Sequence, residues 1–491
     1  MQLHQTFTIA LLSSVLFACG SSEDGAIDLG SSSGGSTSTD TVDNTDTTSQ
    51  VTSDSWSSFT YKGSTQSFIA IQGTGGVDRS ESATLTFELL DIDGEPVSDA
   101  NVTFDYNLPS GTSISPITST TNSLGVVSTT ISAGKVSGLA TVNVSLDSDP
   151  DISVQSDSLS ISTGLPDQDS FSISVTDFSP SAADHDGEIV GVTVRLADHW
   201  NNTVPDGTTV YFHTTAGKIQ QSGSPVGYCT TVQGQCSMDW ESSRPRLSDG
   251  TATITAWALG EESFTDKDND GWFSEGDIYT ISDSVYFNSQ TDLGEVFFDI
   301  NHNNEYDADL EGEEFVAFDT ETNPDDQTYT ESDGMFTGAL CSDEQSALGN
   351  CSQSLVHVRM NTTIAMSSDT VSCRLYTGVD VNDNVYDFSS AVDITDSTYS
   401  LSSADKITVR VEDLYGNTPP TGTTIDISTE NGDLSGTTSF TTGTSATISP
   451  WVKQLSLSNE DPNESTTGLL TVTAVTPKNS DEFTCELTVT D

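Results

Sequence analysis

The chain has 491 residues, with 74 acidic against 14 basic side chains and a formal net charge of −60. That length exceeds a single hydrophobic core and fits about three domains. The charge excludes nucleic acid and anionic lipid headgroups as ligands, because such a surface repels polyanions and attracts divalent cations. An acid-rich face also suits a saline medium, where screening relieves the self-repulsion. Hydrophobic residues make up 33%. Ser, Thr, Gly, Asp and Asn fill the difference, which favours short strands and turns over helix interiors.

Residues 1–18 read as a cleavable leader. Phe7 to Phe17 is mostly apolar and too short to span a bilayer as a helix. It ends in Leu16-Phe17-Ala18-Cys19-Gly20, which resembles the lipobox of bacterial lipoproteins. Met1 to Thr6 departs from the usual leader in carrying no Lys or Arg. The resemblance implies that Cys19 becomes the lipidated first residue and anchors the chain in a membrane. Gly20 in place of Asp implies the outer membrane and surface of a Gram-negative cell. Residues 19–55 are Ser, Thr, Gly and Asp with few apolar side chains. They bury too little surface to offset ordering entropy and read as a tether. Gly30-Ser31-Ser32-Ser33-Gly34 matches a nucleophile elbow in letters only, since no strand or helix flanks it.

Three later segments repeat one pattern. Leu85–Leu89, Val192–Leu196 and Ile407–Val411 alternate apolar and polar residues, as half-buried strands do. Each is followed by an Asp (Asp91, Asp198, Asp413), a turn rich in Gly, Asn and Pro, and a second alternating strand. Asp198 to Gly207 and Asp413 to Gly422 are both nine residues apart. Asp91 to Asp198 spans 107 residues, one sandwich with its linker; Asp198 to Asp413 spans 215, leaving about a hundred residues for an insertion or further domain. The Asp91-Ile92-Asp93-Gly94-Glu95-Pro96-Val97 turn, with Thr120–Val126 and Ala133–Gly138, is similar to the bacterial Ig-like domain of group 1, the invasin and intimin type. The second and third copies match its first half. The resemblance implies all-β, tandem immunoglobulin-like Greek-key sandwiches that serve as stalks and adhesive modules.

The expected organisation is sandwich one at 56–164, sandwich two at 165–260, an acidic calcium-loop insertion at 261–340, closing strands of sandwich two at 341–368, and sandwich three at 369–491. With Cys19 set aside, six cysteines remain. An even number in an exported chain points to disulfides. Proximity pairs Cys229 with Cys236 and Cys341 with Cys351, leaving Cys373 for Cys485; fifteen connectivities are formally open.

The insertion carries the strongest chemical signal. Asp266-Lys267-Asp268-Asn269-Asp270-Gly271-Trp272-Phe273-Ser274-Glu275-Gly276-Asp277 places oxygen side chains at loop positions 1, 3, 5, 9 and 12 and Gly at 6. Calcium needs six to eight oxygens around one point, and Gly at 6 allows the sharp turn. Asp266, Asp268, Asp270, Ser274 and Asp277 are candidate ligands, with the Trp272 carbonyl at position 7. Asp299-Ile300-Asn301-His302-Asn303-Asn304-Glu305-Tyr306-Asp307 is a looser copy. Asp299, Asn301, Asn303 and Asp307 hold its ligand positions, Asn304 replaces Gly, and Glu313 or Glu314 closes it. Asp319 to Asp326 forms a third acidic cluster without fixed spacing.

Nothing points to a catalytic centre. The six His stand apart, without zinc-ligand spacing, and no phosphate-binding loop follows a strand. Acid pairs are too abundant to mark a glycosidase. Trp240 and Trp257 are expected in sandwich cores. The reading is a lipid-anchored, calcium-stabilised surface protein acting in adhesion or as a spacer toward a protein or glycan ligand. A structural component of a secretion or fibre system is the alternative, and a glycan-active enzyme the more remote one.

Overall fold

A computed structural model describes residues 56–490 apart from 78, 222–223, 280–291, 318–327, 383–384, 402–403, 445, 460–464 and 480. Cys19, the tether and the Asp319–Asp326 cluster lie outside the described residues.

The chain folds as tandem immunoglobulin-like β-sandwiches. In the second, one sheet runs in spatial order Phe171–Val175, Ile189–Leu196, Gln235–Glu241, Lys218–Gln220. The facing sheet runs Tyr228–Thr230, Thr209–Thr214, Thr251–Gly260, Val356–Ala365. The first sandwich repeats this order with Trp56–Ser64, Ser82–Asp91, Val126–Ser132 and Ser113–Ser115 facing a sheet centred on Gly138–Leu146 and Asn101–Asn107. The third repeats it with Val371–Thr377, Ala404–Asp413, Trp451–Ser458 and Asp433–Ser435 facing a sheet built on Glu482–Thr490, Thr467–Val475 and Thr424–Thr429.

Alternation drives these pairings. Ala83, Leu85, Phe87 and Leu89 are buried while their neighbours are partly exposed. Val190, Val192, Val194 and Leu196 do the same, as do Ile407, Val409 and Val411. Each strand therefore hides one face in a sandwich core. Trp240, fully buried, anchors the second core, and its Nε1 donates to the Ala216 carbonyl at 2.9 Å.

A recurring corner fixes the strand ends. Asp91 Oδ1 accepts from the backbone N–H of Asp93 and Glu95. Asp198 Oδ1 accepts from Trp200 and Asn202, and Asp413 Oδ1 from Tyr415 and Asn417. The residue three after each Asp has positive φ: Gly94 at 82°, Asn201 at 61°, Gly416 at 84°. Only Gly and Asn adopt that region cheaply.

Disulfides join Cys229 to Cys236, Cys341 to Cys351 and Cys373 to Cys485. The first and third each link a strand of one sheet to a strand of the facing sheet.

The insertion leaves the second sandwich after Thr251–Gly260 and returns as Val356–Ala365, so it occupies the loop between two paired strands. The expected closing region at 341–368 is corrected. Residues 341–355 fold with the insertion, through helix Asp343–Leu348 and a Cys351–Ser352 strand paired to Phe336–Thr337. Cys341 and Cys351 are buried there, in the cluster that holds Phe273 and Phe336. Trp257 is also corrected. It sits on the outer sheet face against Phe298 of the insertion, not in the sandwich core.

Candidate functional site

Both acidic loops are hairpin tips. The first closes where Thr265 and Ile278 exchange backbone hydrogen bonds at 2.8 and 3.1 Å. The second is based on paired strands Val296–Phe297 and Phe315–Val316.

In the first loop, carboxylate oxygens of Asp266, Asp268 and Asp270 lie within 4.8 Å of one another. Asp266 accepts from the N–H of Asn269 and Gly271, Asp268 from Asp270, and Asp270 from Trp272. Asn269 and Gly271 have φ of 59° and 82°. These bonds wrap the backbone around the carboxylates. Ser274 Oγ lies 3.5 Å from Asp268 and 3.2 Å from Asp277. Asp277 turns inward to accept from the Lys267 and Ser274 N–H groups, so it closes the loop without joining the three-carboxylate group. Partial burial first, then the charges of Asp268, Asp266 and Asp277, raises the Asp270 carboxyl above its ordinary range.

The second loop repeats these contacts. Asp299 accepts from Asn303 and Asn304, Asn301 from Asn303, and Asn303 from Glu305. His302 and Asn304, at the same loop positions as Asn269 and Gly271, have φ of 62° and 61°. Asn301 and Asn303 both donate to Asp307 at 2.7 Å. Glu313, not Glu314, closes this loop: its carboxylate accepts from Ile300 and Asp307 N–H groups at 3.2 and 2.8 Å. An all-oxygen donor set, wrapped by backbone turned toward it, fits a hard divalent cation.

Each loop docks on a sandwich. Gly271 packs under Trp200 of the second sandwich; a Cβ there would lie 3.3 Å from the ring. Trp272 Nε1 donates to the Lys135 carbonyl of the first sandwich at 2.9 Å, and the Lys135 ammonium lies over the Trp272 ring. Phe264, Phe273, Phe336 and Leu340 join the first sandwich's hydrophobic core. The second loop rests on the second sandwich, where His302 contacts the Thr251 and Thr253 hydroxyls at 3.0 and 3.1 Å.

The joint between sandwiches one and two is buried and acidic. Residues 163–168 are all buried. Thr163 donates to Glu261 at 2.8 Å, Ser263 contacts Asp167, and Asp167 pairs with His199 at 3.2 Å. Glu261 is wholly buried, and its Oε2 has no hydrogen-bond partner among the described residues. Burial first, then Asp167, pushes its carboxyl up to about 8. Neighbouring Glu262 is pushed up to about 7, mainly by burial. Burial lowers His199, but the hydrogen bond and charge of Asp167 outweigh it and the imidazole is raised overall. The joint between sandwiches two and three has its own network: Ser181 and His185 contact Asp369 at 2.5 and 2.6 Å, and Asp184 accepts from Ser368 and Asp369.

The joint residues escape sequence reasoning. Glu261, Asp167 and Asp369 look like any other acid among 74. A signal did exist in Thr163-Gly164-Leu165-Pro166, an uncharged stretch between domains.

No family model matches the chain. No curated protein matches it in sequence. Among solved structures the chain is similar to Yersinia pseudotuberculosis InvD, at 13% identity over 88% of this chain and 97% of that one, with a TM-score of 0.27. It is similar to invasin, described as a bacterial integrin-binding protein, at 12% identity, 88% of this chain, 60% of that one and a TM-score of 0.23. The D0–D1 domains of intimin share 17% identity over 41% of this chain and 90% of theirs, with a TM-score of 0.20.

Proposed function

We propose that this chain is a lipid-anchored surface protein of a Gram-negative bacterium, acting in adhesion through sandwiches held at fixed angles. The observation that carries the reading is the double fastening between sandwiches one and two. A buried, hydrogen-bonded linker joins them directly, and the insertion rooted in sandwich two places Trp272, Phe264 and Phe273 against sandwich one. Such joints hold a binding surface away from a membrane, as a stalk requires. Cys19 supplies the anchor, and a protein or glycan on another surface supplies the ligand.

Calcium belongs to the same proposal. Asp266, Asp268, Asp270, Ser274 and the Trp272 carbonyl would hold one ion, with Asp277 closing the loop; Asp299, Asn301, Asn303, Asp307 and Glu313 would hold a second. The ion would neutralise carboxylates that otherwise repel one another. Affinity of ~10⁻⁴–10⁻³ M, usual for extracellular modules, suits the cell exterior.

Two experiments test the proposal. Cells carrying or lacking the chain are compared for attachment to host cells and biofilm matrix; equal attachment refutes adhesion. Melting and protease resistance of the full chain are followed with calcium and with chelator. Calcium is expected to protect residues 261–355 in the native chain and not in Asp268→Asn/Asp270→Asn. Unchanged protection under chelator refutes the calcium assignment.

A further inference from the structure

We propose that the third sandwich carries a glycan-binding cleft, walled by the connection between its first two long strands. The cleft holds about 790 Å³, within the range of roughly 300–1,000 Å³ that ligand sites occupy. The connection contributes Tyr386 and Phe388 to the lining, the segment leading into Trp451–Ser458 contributes Thr444, Ser449 and Trp451, and Arg410 of the neighbouring strand completes it. The wall is an addition to the fold. The connection spans residues 378–403 here, against 176–188 at the same place in the second sandwich.

The lining decides the chemistry. The chain has 74 acidic residues, yet no carboxylate is among the described residues that line the cleft. Its one cation is already balanced: Arg410 pairs with Glu412 at 2.5 Å and lies over the Phe388 ring. The site therefore offers no net charge to an anion or a cation. It offers half-buried ring faces instead, two of them backed by another aromatic. Phe388 meets Tyr376 edge-on at 5.2 Å, and Trp451 meets Phe440 at 5.2 Å. Rings fixed in this way present flat apolar faces without losing rotamer entropy on binding. Thr444 and Ser449 also line the cleft; the Thr444 hydroxyl accepts from the Phe178 N–H at 3.1 Å and keeps its own hydrogen to donate.

A neutral oligosaccharide matches both features. The C–H faces of its sugar rings stack on aromatics, and its hydroxyls exchange hydrogen bonds with Thr, Ser and guanidinium groups. A negatively charged polysaccharide would meet the repulsion of the surrounding acidic surface. The inference deepens the adhesive reading by naming its ligand class, and rests on that reading only for its role on the cell.

The test applies the purified full chain to immobilised gluco-, manno-, galacto- and N-acetylglucosamine oligosaccharides, beside uronic-acid oligosaccharides and a peptide array. Binding to at least one neutral series is expected. Phe388→Ala and Tyr386→Ala should each weaken it at least tenfold, while Tyr211→Ala, an exposed ring on the second sandwich, should not. Circular dichroism checks folding of each variant. Should Phe388→Ala unfold, Tyr386→Ala and the change in Trp451 fluorescence on sugar titration carry the test. No binding to neutral sugars at millimolar concentration, preference for acidic sugars or peptides, or indifference to both wall variants overturns the proposal. Attachment of whole cells without sugar binding sinks the cleft and spares adhesion; sugar binding without an effect on attachment does the reverse.

Discussion

At each corner of the three sandwiches a Thr completes what the repeated Asp begins. Thr231 Oγ1 donates to the Pro205 carbonyl at 2.7 Å and accepts from the Thr208 N–H at 3.1 Å. Thr121 and Thr442 make the matching pairs, with Val97 and Ala100 and with Pro420 and Thr423. All three are buried. Thr231→Val keeps the shape and leaves buried polar groups without this hydroxyl, so a loss of about 1–3 kcal/mol is expected in denaturant unfolding. The Asp of each corner was legible because its partners lie within four residues. The Thr was not, because its partners lie between 19 and 26 residues away along the chain.

Glu261 gives a second expectation at this scale. Its folded carboxyl titrates near 8, well above an ordinary glutamate. The unfolded chain therefore releases this proton first as pH rises, and stability declines from about pH 4.5 up to pH 8. Glu262 adds to the decline up to about 7. Glu261→Gln, which cannot ionise, should flatten the fall in melting temperature measured between pH 5 and 8. A slope equal to that of the native chain would refute the assignment. His213 and His357 act oppositely: burial holds both near 4, so they cost stability as pH falls from about 6.5 to 4.

Among elements, the strands were the easiest to read, since period-two alternation survives in a sequence otherwise dominated by Ser and Thr. The excess between the second and third copies announced an insertion but not its outer limit. The Cys341–Cys351 segment is assigned by what it packs against, Phe273 and Phe336, and no local pattern encodes that. The two acidic loops were legible by spacing, while their seating on two different sandwiches was not. The third disulfide closes 112 residues and staples the two sheets of the last sandwich. Replacing Cys373 and Cys485 together by Ala should lower stability by about 2–5 kcal/mol, seen as loss of melting temperature in the third sandwich. An unchanged transition would place the staple's benefit elsewhere.

Across the described residues, successive sandwiches are joined by buried and hydrogen-bonded contacts. Trp272→Ala removes the indole that links the insertion to Lys135 while leaving the buried linker in place. Solution scattering of the full chain should then report a wider spread of conformations, with the sandwiches themselves still folded by circular dichroism. If the scattering is unchanged, the linker alone sets the angle.

The exit and return of the insertion have a mechanical consequence. Thr251–Gly260 and Val356–Ala365 are zipped through ten residue pairs, and the chain between them is looped out of the direct line of load. A pull along the last strand acts on that zipper in shear, where many hydrogen bonds resist together. Once it slips, residues 261–355 can pay out as slack of roughly 300 Å at about 3.3 Å per residue. The Cys341–Cys351 bond withholds only a short part of it. If the chain holds a cell to a surface, as proposed, that slack would act as a shock absorber midway along it.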